Sequence, residues 1–105
     1  MKHSILFALS LVLSTVLNAE DTIEENRQLE LSNLLIQDCG SCHGLRMKGG
    51  LGPALLPSTL KGKSTEFITS TILDGRPGTA MPGWRPLLSA TEARWITKQL
   101  LDAKP

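Results

Sequence analysis

Ligand-type side chains are scarce in this chain. It has two cysteines, two histidines, three methionines and no tyrosine. A closed zinc site needs about four Cys, His or carboxylate ligands. Beyond Cys39, Cys42 and His43 the chain offers no other cysteine, and its one other histidine is His3, so zinc lacks ligands. The formal net charge is only +1, which argues against nucleic acid as a partner. No stretch alternates apolar and polar residues long enough to read as a strand. With 105 residues, the chain has room for one small domain.

What is present is concentrated in Cys39-Gly40-Ser41-Cys42-His43. Two thiols three residues apart, followed at once by an imidazole, form the attachment pattern for c-type haem. The thiols add across the two haem vinyl groups, and His43 then ligates the iron from the proximal side. A thioredoxin-like dithiol is the main competing reading. It calls for a preceding strand, whereas the residues before Cys39 carry a helical pattern. A simple disulfide between Cys39 and Cys42 is the other competing reading. Covalent haem, one per chain, is the expectation.

The first residues read as an export signal. Met1-Lys2-His3 is a short positive segment, Ile5 to Leu17 is apolar with a few small residues, and Leu17-Asn18-Ala19 offers a small residue before a cut. An uncleaved anchor is the alternative, but the run is shorter than the ~20 residues of a membrane span. The expected organisation is a signal peptide over 1–19 and one domain over 20–105. The expected place is the periplasm, with no stable membrane insertion after cleavage. Export agrees with the motif, because bacteria attach haem to thiols outside the cytoplasm. The mature chain is short, and a haem would supply apolar surface that so small a core lacks.

Charge is divided along the chain. Glu20 to Asp38 holds six acids against Arg27, while Arg46 onward holds nine basic residues and four acids. Such polarity steers encounters with a partner, or it marks two ordinarily solvated faces.

Three helices are expected. The first covers 22–38, capped by Asp21 or Thr22, with Ile23, Leu31, Leu34 and Leu35 on its apolar stripe, and it delivers the chain to Cys39. Residues 44–63 contain five glycines and two prolines and read as a loop wrapped around a haem edge. Ser64 caps a second helix with Phe67, Ile68, Thr71 and Ile72 inward, ending at a left-handed Gly75. Ser89-Ala90-Thr91-Glu92 is a capping box for a third helix running to about Ala103, with Ala93, Ile96, Thr97 and Leu100 on one face.

Downstream of His43, two methionines can compete for the sixth iron position. Met47 follows His43 by only four residues, too few to reach the opposite face of one ring. Met81 follows by 38 residues, within Gly78-Thr79-Ala80-Met81-Pro82-Gly83-Trp84, a stiff irregular loop suited to reaching back across the plane. Filling a gap is its alternative role. A thioether ligand raises the potential, and with both axial positions filled the iron passes electrons instead of binding substrate. Pro53, ten residues after His43, is placed for its carbonyl to accept the His43 Nδ1 proton, or else is a turn proline. Trp84 packs on the ring, bonds a propionate or fills the core.

Together, Cys39 to Gly44, Gly52-Pro53-Ala54-Leu55, Gly75 to Pro82 and Leu88 to Glu92 resemble the class I c-type cytochromes in order and spacing, over essentially the whole mature chain. The resemblance implies an all-α fold of about three helices wrapped around one covalent haem c. It makes Cys39 and Cys42 the thioether positions, His43 and Met81 the axial ligands, and Pro53 the acceptor for His43. The family often has glycine and aromatic residues where this chain has Leu31, Leu35 and Gln99, so a wider crossing of the terminal helices, filled by Trp95, is expected. Leu51 to Leu55, Asp74 to Gly78 and Met81 to Pro86 look like the small cytochromes c-55X of denitrifying bacteria. That likeness implies an electron carrier and not an enzyme, donating to the nitrite reductase that carries haems c and d. The alternatives are a redox accessory in haem d maturation, or a ligand-binding or catalytic haem protein with Met81 off the iron. Arg46, Lys48, Lys61, Lys63, Arg76 and Arg85 are expected to form a basic docking rim for an acidic partner.

Overall fold

The computed structural model describes residues 22–104. The expected signal peptide over 1–19 lies outside the described residues. Helix α1 spans Glu25–Leu34 and continues without a break into a π-helical turn, Leu35–Cys39, and a short helix α2, Gly40–His43. Helix α3 is the single turn Pro57–Leu60, α4 is Thr65–Asp74 and α5 is Ala90–Leu101. No strand occurs among the described residues. No helix among them is long and apolar enough to cross a membrane.

The first helix begins later than Asp21 or Thr22 would place it. Its N-cap is Glu24, whose side chain makes no capping bond. Ile23 explains the delay. Its side chain packs against the core, and its carbonyl accepts from Gln28 Nε2 at 2.9 Å, which holds the chain extended up to Glu24. The other two starts agree with the sequence. Ser64 Oγ accepts from Phe67 N–H at 3.1 Å, and Ser89 and Glu92 form the reciprocal capping box. Helix α5 stops at Leu101, two residues before the expected end at about Ala103.

Nine buried apolar residues form one cluster, among them Leu31 of α1, Ile68, Ile72 and Leu73 of α4, and Ala93, Ile96 and Leu100 of α5. Leu31 and Ala93 are wholly buried, so the first and last helices meet through close-packed small and branched side chains. Trp95 packs against the edge of this core and lines a surface groove with Thr65 and Leu101. A buried polar pair joins two helices, Thr69 Oγ1 with Thr97 Oγ1 at 3.0 Å, and Thr97 also donates to Ala93 O at 2.9 Å. Both hydroxyls are therefore satisfied where α4 crosses α5.

Arg27 ties the two ends of the chain together. Its guanidinium pairs with Glu92 and with Glu30, and reaches Leu87 O at 3.4 Å. Glu92 thus closes the capping box of α5 and anchors α1. Hydrogen bonding from Arg27, then from the Ser89 backbone, holds the Glu92 carboxyl below its ordinary range. A depressed carboxylate pKa contributes stability above the ordinary value, and that contribution is lost as pH falls through the folded-state value. Glu92→Gln keeps a cap for Ser89 N–H but loses the ion pair. It should cost about 1 kcal/mol at neutral pH. Thermal melts of both proteins should show this gap close as pH falls below the ordinary carboxylate range and the parent carboxylate is protonated.

Candidate functional site

The helical run from Glu25 to His43 carries the two thiols to a cavity wall, with Cys39 half-buried and Cys42 exposed. The π turn is the local device. Gly40 N–H bonds back to Leu35 O, a span of five residues, in place of the four of an α-helix. One residue inserted this way turns everything after it by roughly 100° relative to α1. Leu35, Asp38, Cys39, Cys42 and His43 all end on the wall of one cavity of about 540 Å³. Its other walls are Leu55 and Leu60 from the loop and α3, Ile68 and Ile72 from α4, and Ile96 and Leu100 from α5.

His43 is buried, and its ring is fixed on two sides. Nδ1–H donates to Pro53 O at 2.6 Å. A Cβ on Gly52 would lie 2.8 Å from the ring atoms Cε1 and Nδ1, so the backbone at Gly52 lies directly against the imidazole. The loop holding these residues is hooked onto the motif. Gly49 N–H donates to His43 O and Gly52 N–H to Cys42 O, each at 2.8 Å, and Leu55 N–H donates to Met47 O at 2.9 Å. With Nδ1 engaged, Nε2 is the ring nitrogen left for a ligand.

Met81 lines the same cavity, half-buried, as do Ala80, Pro82 and Trp84. Its loop is pressed onto the end of α4. Trp84 N–H donates to Ile72 O at 3.0 Å, Arg85 N–H to Leu73 O at 3.1 Å, and Arg76 N–H to Met81 O at 3.2 Å. Gly75 makes this approach possible. Its φ is +68°, and a Cβ there would sit 2.6 Å from Gly83 N. Its ψ of −164° is not that of a left-handed cap, contrary to the sequence reading. The chain turns sharply at Gly75 to bring Met81 to Gly83 across the helix end.

Met47 is not on the cavity wall. It packs against the core with φ +59°, which agrees with a packing role. Phe67 is more than half exposed where an inward position was expected, yet it lines the cavity mouth, as does Leu51 at 95% exposure. Trp84 is half-buried and serves two surfaces, packing on the core and lining the cavity. Of the expected basic rim, Arg85 is bound to Asp74 at 2.5 and 3.2 Å and is no free cation. Arg46, Lys48, Lys61, Lys63 and Arg76 are exposed.

The thiol chemistry argues against a reactive dithiol. Burial, with the negative charge of Asp38 beside it, pushes the Cys39 thiol up to about 11. Redox-active thiols are poised the other way, with lowered values. No group of three or more His, Cys, Asp or Glu side chains among the described residues is arranged to hold a metal ion. What the cavity suits is a large flat apolar group held at one edge by two thiols.

Known proteins agree with that geometry. The family described as cytochrome c oxidase, cbb3-type, subunit III matches residues 27–98. The chain belongs to the class I c-type cytochromes. It is 46% identical over 104 residues to cytochrome c55X of Pseudomonas aeruginosa, covering 97% of this chain and 87% of that one. A solved structure titled c-type cytochrome NirC shares 54% identity at a TM-score of 0.75, over 76% of this chain and 94% of that one. A more partial relative is the dihydro-haem d1 dehydrogenase of P. aeruginosa, 38% identical over 69 residues, covering 66% of this chain and 14% of that one. The cofactor of such cytochromes is covalently attached haem c, and the cavity walls fit it.

The sequence did not disclose the π turn or the role of Gly52 in this cytochrome. The only signal for Gly52 was its place beside Pro53 in a glycine-rich loop. Gly52→Ala would overpack the His43 ring, at a cost of roughly 1–3 kcal/mol. A lowered melting temperature with a changed haem visible spectrum is expected. An unchanged spectrum would mean that the loop, and not the ring, gives way.

Proposed function

We propose that this cytochrome is a periplasmic one-electron carrier in which Cys39 and Cys42 hold the haem by thioethers, and His43 and Met81 are the axial ligands. The observation that carries the proposal is that these four side chains, from two segments 38 residues apart, line one apolar cavity. When bound, the haem supplies the ferric–ferrous couple. Pro53 O keeps the His43 imidazole in one tautomer and one orientation, with Nε2 toward the iron. Met81, on a loop pinned at Gly75 and Gly83, would supply the second ligand, and its thioether would favour the reduced state. Two firmly held ligands change little between oxidation states, and the apolar walls exclude water.

The proposed partner is the nitrite reductase carrying haems c and d, reached through a basic rim of Arg46, Lys48 and Lys61. A rim of this kind makes association depend on salt. Export by cleavage of residues 1–19 completes the proposal. A second reading, service in haem d maturation, is favoured by the similarity to dihydro-haem d1 dehydrogenase. Deleting the gene distinguishes the two readings, since a donor's loss leaves nitrite reductase with its haem d but short of electrons.

Two measurements test the site. The double variant C39A/C42A should yield no haem in a pyridine haemochrome assay, and its far-ultraviolet circular dichroism should lose most helical signal. Met81→Ala should lower the reduction potential and let the ferrous protein bind carbon monoxide, which the parent should not do readily. Rapid carbon monoxide binding by the parent would instead assign it an open iron.

A further inference from the structure

The cavity wall is apolar apart from a small polar set, and its formal charges are few. Among its lining residues, the lysines and arginines are Lys63 and Arg76, and the acid is Asp38. Asp38 directly precedes Cys39, at the edge where the thiols sit. Lys63 and Arg76 flank α4, one residue beyond its N-cap Ser64 and one beyond its C-cap Gly75. Both line the cavity together with Ile68, Thr71 and Ile72 of α4. Neither cation forms an ion pair with another described residue, in contrast to Arg27 and Arg85.

Haem carries two carboxylates, its propionates, on the edge away from its vinyl groups. Vinyl groups joined to Cys39 and Cys42 place that edge away from Asp38. We propose that Lys63 and Arg76 are the propionate partners of this cytochrome, one cation for each carboxylate. The assignment rests on the proposed thioether attachment and goes beyond it. It also removes both residues from the docking rim and gives them a cofactor-positioning role. Charge-assisted bonds from these cations neutralise negative charge beside the iron and so favour the ferrous state. Arg76 has a further consequence, because its backbone N–H already holds Met81 O. Its side chain on a propionate would link the cofactor's edge to the Met81 loop.

The experiment uses the holoprotein and three single variants: Lys63→Gln, Arg76→Gln and, as a control, Lys61→Gln, an exposed cation off the cavity wall. Resonance Raman spectra read the propionate bending mode, which responds to hydrogen bonding at the carboxylate. Lys63→Gln and Arg76→Gln should each move that band, and Lys61→Gln should leave it in place. At the parent's midpoint potential, the ferric-to-ferrous ratio should rise about threefold in each of the first two variants, as expected for a lost, partly screened charge. A band unmoved in either variant overturns the assignment for that residue, and equal movement in Lys61→Gln overturns it for both. Haem content in the same samples reports separately on the attachment at Cys39 and Cys42.

Discussion

The structure depends on filling one cavity. The chain directs Ile68, Ile72, Ile96, Leu60 and Leu100 toward a space of about 540 Å³ as well as toward each other. The apolar wall of that space leaves water only where a large apolar group covers it, and burial of apolar surface is the main favourable contribution to folding so small a domain. The haem of a c-type cytochrome is therefore a structural member of the fold as well as its redox centre. The short helices follow from the same constraint. Each of α1, α4 and α5 needs only enough length to lay one wall against the plate and one stripe against a neighbour.

On the proposed ligation the haem would be held on both faces, and backbone contacts fix the two segments that carry the ligands. On one side the loop 44–53 closes over His43 through Gly49, Gly52 and Pro53. On the other, the strap from Gly75 to Arg85 lies across the end of α4, because Gly75 and Gly83 carry no side chain where the strands of backbone cross. Met47 in the loop and Trp84 in the strap pack against the core. Both segments also rely on hydrogen bonds between main-chain groups that would otherwise be orphaned at helix ends and turns. A side chain added at these glycines acts on the ring or on the Met81 loop before it acts on the core.

Legibility in the sequence followed the range of the interactions. The Ser64 cap, the Ser89–Glu92 box and the inward face of α5 are local patterns, and the structure has them. Cys39, Cys42, His43, Pro53 and Met81 stand out in the sequence by residue type and spacing, and all five line the cavity, with Pro53 O on His43 Nδ1. The start of α1 was misplaced because Ile23 is drawn into the core, a tertiary preference that outweighs the capping tendency of Thr22. The π turn left no mark, since its one-residue register shift answers to where the cavity lies. The exposed position of Phe67 has the same origin. A periodicity count takes it as inward, but inward at that turn means the mouth of a cavity, not packed protein. Arg85 was counted with the docking cations because sequence shows a charge but not its partner, Asp74.

The separation of charges then takes on a functional shape. Arg27 and Arg85 are committed to Glu92 and Asp74, where they hold α5 to α1 and the Met81 strap to α4. Arg46, Lys48 and Lys61 remain on the surface, on the stretch that leads from the motif over the His43 side. The acids Glu24, Glu25 and Glu30 lie on α1, ahead of the attachment motif. On the proposed ligation, a carrier needs fixed ligands inside and loosely held charges outside. The first keeps reorganisation small when the electron moves, and the second lets a partner arrive and leave quickly because each exposed pair is weak and screened. Cations already bound to internal carboxylates do not serve the second need, so the useful docking surface is smaller than the basic composition of the chain's second half suggests.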